Sequence, residues 1–387
     1  MDKTFGNMIE IEFIIGSLEI GGAERHLSQV LPVLKSMGIS VRVLVLSDKA
    51  PLKPIFDKAN IRVSLGPNLD RMPSFPRKII RFIISLTRLM TGFLRDRRTI
   101  RHAFLPEAYL FTAVAACLTF FPGFFIMSRR SLSNYQKRRP FLGKLERFMH
   151  KFTSKALGNS QAVVEQLYEE GFQKKKVDLV YNGIDLSPFQ NLPSKKELRK
   201  SLGLDQESLI FIIVANLIPY KGHEDLLNAL GRIYLKLPTK WKLLCVGYDA
   251  GIQEQLEVQA EALRIKDHVR FLGKRLDTPS LLSASDIGIL CSHEEGFSNA
   301  ILEGMAAGLP MVVTNVGGNA EAVANEHTGF VVESKNPVAL ADSLLKLALS
   351  PESRIKFGAA GKEKIEQRFT LIECAKNYAA FYQSLKK

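Results

Sequence analysis

Short apolar runs alternate along the chain with stretches whose apolar positions recur at helical spacing. Residues 11–15, Ile-Glu-Phe-Ile-Ile, predict a strand. A glycine-bearing loop follows. Leu27, Val30, Leu31 and Leu34 then fall at i, i+3, i+4 and i+7, one face of a helix that Gly38 ends. The next strand is predicted over 41–46. Strand, helix and strand in this order form a βαβ unit, which implies a parallel sheet with right-handed crossovers. The second half opens the same way. A strand over 209–214 leads into a loop with Pro219 and Gly222. Leu226, Leu227, Leu230, Ile233, Tyr234 and Leu237 mark a helix face closed by Pro238, and a strand over 241–246 ends at Gly247. Further strands are predicted over 269–272, 287–290 and 311–314. Such runs are apolar nearly throughout, as strands covered on both faces must be.

The two series are separated by a turn-rich stretch, 186–193, and the charged 194–200. The pattern therefore predicts two doubly wound, Rossmann-like α/β domains with parallel sheets, 1–188 and 189–369, facing each other across a cleft. In this class ligands bind at the carboxyl ends of the strands. A C-terminal helix over about 370–387 is expected to pack back on the first domain. One stretch, 108–128, carries no formal charge over a length that could span a bilayer. Pro122-Gly123 and the apolar 124–127 make it read instead as a turn followed by a buried strand.

Composition changes the picture through charge. Of 387 residues, 53 are Lys or Arg and 39 Asp or Glu, a net charge of +14. Residues 1–190 hold 29 basic against 16 acidic side chains, net +13, whereas 191–387 hold 24 against 23, net +1. With 46% hydrophobic residues, a disordered polyelectrolyte is excluded. Nucleic acid, an anionic membrane face or a phosphorylated substrate could each answer to the basic half. The four cysteines form no C-x-x-C pair and no metal-ligand spacing. Their apolar settings suit a reducing compartment. No D-x-D or H-E-x-x-H occurs, and residues 1–12 show no secretory pattern. The expectation is a cytoplasmic protein with no metal and no cofactor.

The densest chemistry lies at His293-Glu294-Glu295-Gly296-Phe297-Ser298-Asn299 through Glu303. A strand precedes it, and Ser298 or Asn299 can cap a following helix. Free N–H groups at that helix start suit a diphosphate. Glu295 on the loop and Glu303 on the helix can both accept hydrogen bonds from vicinal sugar hydroxyls. Alternatively, Glu295 only complements the helix dipole and Glu303 is a solvated helix residue.

This run resembles the E-x7-E signature of the retaining glycosyltransferases of family 4, which have the GT-B architecture. Residues 307–314, Ala-Gly-Leu-Pro-Met-Val-Val-Thr, and Gly317-Gly318-Asn319-Ala320-Glu321 continue the likeness. The resemblance implies a transferase acting on a nucleotide-sugar, which is a substrate and not a cofactor. It places Glu303 on the ribose, Glu295 by the donor sugar, and Gly296, Phe297, Ser298 and Asn299 as backbone donors to sugar and phosphates. Lys221, in Pro219-Tyr220-Lys221-Gly222, matches a lysine that contacts the diphosphate, where a cation would stabilise the leaving group. Its other reading is an ordinary loop lysine. In the first domain Gly21, Gly22 and Glu24 would border the acceptor, with Gly22 close enough to approach a phosphate. Asn182-Gly183-Ile184-Asp185 resembles an end-of-domain signature or is a plain turn.

Two positions depart from the family. Asn216 stands where many members carry an arginine, so one diphosphate cation is missing from the donor site. Second, a family histidine near the donor sugar often falls two residues after another histidine; here His102 fits the first position and Phe104 fills the second. His102 is a candidate catalytic residue or equally a packed core histidine.

The basic half contains Arg71, Arg77, Lys78, Arg81, Arg88, Arg95, Arg97, Arg98 and Arg101 interleaved with apolar residues, a basic amphipathic helix. Arg129, Arg130, Lys137, Arg138, Arg139, Lys144, Arg147, Lys151 and Lys155 extend the charge. This surface is expected to rest on the anionic inner face of the membrane and to present the enzyme to a lipid-linked or oligosaccharide acceptor in surface polysaccharide or glycolipid assembly. The alternative is a domain helix with solvated arginines. A nucleotide-sugar epimerase of the same architecture and a nucleic-acid-binding protein are the rival functions, although no nucleic-acid recognition module is visible.

Overall fold

A computed structural model of the chain describes residues 9–70, 72–120, 123–133, 136 and 139–385. Arg71, Pro122, Lys137 and Arg138 of the readings above lie outside them. The chain divides into two compact units, 1–183 with 371–387, and 184–370. The sequence reading put the boundary at 188.

In the first unit, β1 (Glu10–Ile15), β2 (Ser40–Val45), β3 (Arg62–Ser64), β4 (Ile100–Phe104), β5 (Phe125–Arg129), β6 (Lys155–Gly158) and β7 (Val177–Leu179) form a seven-stranded sheet of order β3-β2-β1-β4-β5-β6-β7. Every neighbouring pair runs parallel. The period of two decides the faces. Ile11, Phe13 and Ile15 point into one core, shared with Leu27, Val30, Leu31 and Leu34 of helix Gly22–Ser36. Ile14 points into the other, with Leu89 and Phe93 of helix Ser74–Arg95 and with helix Leu105–Leu118. Of the uncharged stretch, 108–118 lies in that helix and 125–128 in buried β5. Among the described residues no helix is long and apolar enough to cross a membrane.

The last helix, Leu371–Ser384, belongs to this first unit. Ala375, Tyr378, Phe381 and Tyr382 complete the core that Leu27 and Leu31 begin. At about 25 cal/mol per Å², each buried aromatic there is worth on the order of 2–3 kcal/mol, enough to hold a helix far along the chain.

In the second unit, β8 (Leu209–Val214), β9 (Trp241–Val246), β10 (Val269–Phe271), β11 (Ile287–Leu290), β12 (Met311–Thr314) and β13 (Gly329–Val332) form a six-stranded sheet of order β10-β9-β8-β11-β12-β13. All pairs are again parallel. The order reverses between β8 and β11, so the connections leaving their carboxyl ends depart to opposite faces of the sheet, the place where ligands bind in open α/β sheets. Both units are Rossmann-like, as the pattern predicts.

Candidate functional site

The carboxyl ends of β8 and β11 collect the residues the signature singles out in the second unit. After β8 the chain makes a short 3-10 turn, Pro219–Lys221, and enters helix His223–Ile233 through Gly222. Gly222 has φ of 75°, and a Cβ on it would run into the carbonyl of Cys291. Only glycine allows both that backbone and that approach. The turn is therefore pressed against the loop that leaves β11. Cys291 donates its thiol to the Gly222 carbonyl at 3.1 Å, and burial pushes that thiol up to about 12. It is a packing residue, not a nucleophile.

This contact brings Lys221 and Glu295 together across 74 residues of sequence: Nζ donates to Oε1 at 2.6 Å, with side-chain exposures of 18% and 11%. The ammonium also lies 5.3 Å from the centre of the Tyr220 ring. Beyond Glu295, Gly296, Phe297 and Ser298 are buried, and Phe297 packs on Phe369. Ser298 opens helix Asn299–Ala306 without a side-chain cap bond. The positive end of that helix's dipole thus opens four residues after Glu295. Glu303 follows on that helix, half-buried. The loop is shored up from behind. Gly317, at φ of 53°, lies against the Glu295 carbonyl, and the Gly318 N–H donates to the Gly296 carbonyl at 2.6 Å.

Asn216 sits exposed at the end of β8. Its Oδ1 accepts from the Tyr248 N–H at 3.1 Å. Where the family carries a cation, this chain has an amide that ties the ends of β8 and β9.

The first-unit candidates lie within their own unit. Gly21 starts helix Gly22–Ser36, Gly22 is exposed, and Glu24 lies in the first turn with its pKa raised, chiefly by burial. His102 is a different matter. It lies in β4 with no solvent exposure. Nδ1 meets the Tyr382 hydroxyl at 2.6 Å and Nε2 the Ser128 hydroxyl at 2.8 Å. Burial, helped by the charge of Arg130, holds it well below the usual imidazole range. Both ring nitrogens are thus bonded to hydroxyls inside the unit's core. The sequence could not show this, because one partner is 280 residues away.

Two arginines also leave the proposed basic surface. Arg101 is fully buried, bonded to Glu12 at 2.7 Å, and Arg129 is 2% exposed between Glu146 and Glu170. Among the described residues no three His, Cys, Asp or Glu side chains gather as a metal site.

Residues 194–364 match the family model described as Glycosyl transferases group 1, and residues 20–188 the one described as Glycosyltransferase Family 4. The chain is 28% identical over 243 residues to the N-acetyl-alpha-D-glucosaminyl L-malate synthase of Bacillus anthracis, 63% of each chain. It is 26% identical over 343 residues to the UDP-Gal:alpha-D-GlcNAc-diphosphoundecaprenol alpha-1,3-galactosyltransferase of Escherichia coli, 85% of each. The first match thus spans under two thirds of that relative's length. In fold the chain is similar to Anabaena HepE in complex with UDP-glucose, with a TM-score of 0.81 at 22% identity over 97% of this chain and 100% of that one. It is likewise similar to WaaG, a glycosyltransferase involved in lipopolysaccharide biosynthesis, at 0.70, 18%, 96% and 99%. With one family model on each sheet unit and this fold throughout, the chain belongs to the family 4 type of glycosyltransferases with GT-B architecture.

Proposed function

We propose that this protein transfers a sugar, with retention of configuration, from a nucleoside-diphosphate sugar to a lipid-linked acceptor in surface polysaccharide or glycolipid assembly. The observation that carries the reading is the Lys221–Glu295 pair at 2.6 Å, at the foot of the helix that bears Glu303. A departing nucleoside diphosphate develops negative charge. Lys221 and the helix N-terminus meet that charge with preorganised positive groups, so no metal is called for. Glu303 accepts from the ribose hydroxyls and Glu295 from the donor sugar. The C1–O bond to the phosphate breaks with its electrons moving to the diphosphate. The acceptor oxygen bonds C1 on the same face, and its proton passes to the leaving phosphate oxygen. No protein nucleophile takes part.

The acceptor class draws support from the Escherichia coli relative, whose name specifies a diphosphoundecaprenol-linked sugar. A panel of UDP-glucose, UDP-galactose, UDP-N-acetylglucosamine, GDP-mannose and ADP-glucose, incubated with membrane extract, tests the reading. One donor is expected to release its nucleoside diphosphate in step with glycosylation of a lipid-extractable product. Conversion of a donor to another nucleotide-sugar without that release would mean an epimerase. No consumption of any donor would remove the reading.

Peripheral attachment to an anionic membrane face belongs to the same proposal. Helix Ser74–Arg95 carries one apolar stripe with two fates. In its second half Leu89 and Phe93 are buried in the unit's core. In its first half Phe75, Ile79, Phe82 and Ile83 continue the stripe at exposures of 75%, 45%, 41% and 56%. Arg77, Arg81 and Arg88 lie on the opposite face of the same helix, Arg77 3.6 Å from Asp70 and Arg81 3.1 Å from Glu107. Near an anionic leaflet each basic residue contributes about 1 kcal/mol. The protein is expected to float with vesicles containing anionic lipid and not with neutral ones, and Phe75→Ser with Ile83→Ser to cut the floated fraction at least about fivefold. Equal recovery on both vesicle types would refute the attachment.

A further inference from the structure

Lys221 and Glu295 stand on two separate loops, so something must hold those loops in register. Three contacts do so. The Cys291 thiol reaches the Gly222 carbonyl at 3.1 Å, and the His293 N–H donates to the Tyr220 carbonyl at 2.7 Å. The third joins side chains: the His293 Nε2 lies 2.7 Å from Asp225 Oδ2, with exposures of 24% and 20%. Asp225 lies in the first turn of helix His223–Ile233, where the dipole favours a carboxylate. His293 is two residues before Glu295, and Asp225 is four after Lys221. The pair therefore closes a ring: Lys221, turn, Asp225, His293, loop, Glu295 and back to Lys221.

We propose that His293 and Asp225 are positioning residues for the donor site, a clamp that fixes the Glu295 loop on the Lys221 turn. This rests on the donor-site reading given above. Neither residue needs to touch the donor. Their work is to keep the carboxylate and the ammonium at the spacing a diphosphate sugar requires, where a displacement of about 1 Å can cost on the order of 10²-fold in rate. The other two contacts end on backbone carbonyls and do not use the side chain at 293, so the imidazole is the removable part of the clamp.

The test has two arms. Without any ligand, hydrogen exchange of amides 291–297 is expected to quicken at least about tenfold in His293→Ala and to stay near wild type in His293→Gln, whose amide can still donate to Asp225. With the donor that wild type consumes best from the panel above, His293→Ala is expected to raise the donor KM and lower kcat/KM by about 10–100-fold, and His293→Gln to recover most of it. The double variant His293→Ala, Asp225→Ala should be no worse than the worse single one, as for partners in one interaction. A pair that only stabilises the fold would lower Tm and leave the donor constants of the folded enzyme unchanged, which would overturn the proposal. So would unchanged exchange in 291–297. If wild type consumes no donor, the functional reading fails and the exchange arm still decides whether the clamp exists.

Discussion

Lys221→Ala is expected to lower turnover by about 10²–10³-fold while the protein stays folded. The magnitude is that of removing one preorganised group from a developing negative charge. Two losses combine. The leaving diphosphate loses its ammonium, and Glu295, 11% exposed, loses the partner that orients it at 2.6 Å. Asn216 cannot compensate, because it is neutral and its side-chain oxygen is taken by the Tyr248 N–H. A chain with an arginine at 216 would have a reserve cation; the proposed site has only Lys221 and the helix Asn299–Ala306 to rely on. Glu303→Ala should also cut turnover strongly, with the loss concentrated in nucleotide affinity. The turn Pro219–Lys221 sits at the edge of the unit, so Tm should move by no more than a few degrees. Nucleoside diphosphate release by purified variants, measured beside Tm, checks both statements. Near wild-type release by Lys221→Ala in a folded protein would take the lysine out of the site.

How much of this could be read from the sequence depended on how local each cause was. The strands Leu209–Val214, Trp241–Val246, Ile287–Leu290 and Met311–Thr314 were legible to the residue, since a strand buried on both faces is an unbroken apolar run. The E-x7-E segment was legible because its parts are contiguous. The charge count read every arginine as surface, although Arg101 and Arg129 are buried against acidic partners up to 89 residues away. Nothing near His102 in the sequence announces Tyr382 and Ser128 on its nitrogens, the first of them 280 residues away. The His293–Asp225 pair joins a loop residue to a helix residue 68 positions away, and no spacing announces it. What stayed hidden is what the fold brings together after the sheet forms.

Arg129→Ala should be the most destabilising of the substitutions considered. Arg129 ends β5 with 2% exposure and binds Glu146 at 2.6 Å and both oxygens of Glu170 at 2.9 Å. Around these, Gln136 donates to Glu146 at 3.0 Å, His150 meets Glu170 at 3.1 Å, and the Tyr109 hydroxyl meets His150 at 2.7 Å. Burial alone would raise the pKa of Glu170; the bond to His150 and the charge of Arg129 overrule it and hold the carboxyl at about 2. Removing the guanidinium leaves two buried carboxylates without their common cation, a cost of about 3–5 kcal/mol. In a unit of about 200 residues that corresponds to a Tm lower by roughly 10 °C. The pH dependence separates this cause from a simple cavity. In wild type the folded pKa of Glu170 lies below its unfolded value of 4.5, so its contribution is present above pH 4.5 and fades as pH falls towards 2. In the variant the same buried carboxyl keeps His150 but loses the guanidinium, its pKa moves up, and protonation relieves the cost as pH falls. The Tm gap between the two proteins should therefore be widest at pH 7 and narrow towards pH 4. Adding Glu146→Gln and Glu170→Gln to Arg129→Ala should recover part of the loss at pH 7. A gap that does not change with pH would assign the destabilisation to lost packing instead of lost charge pairing.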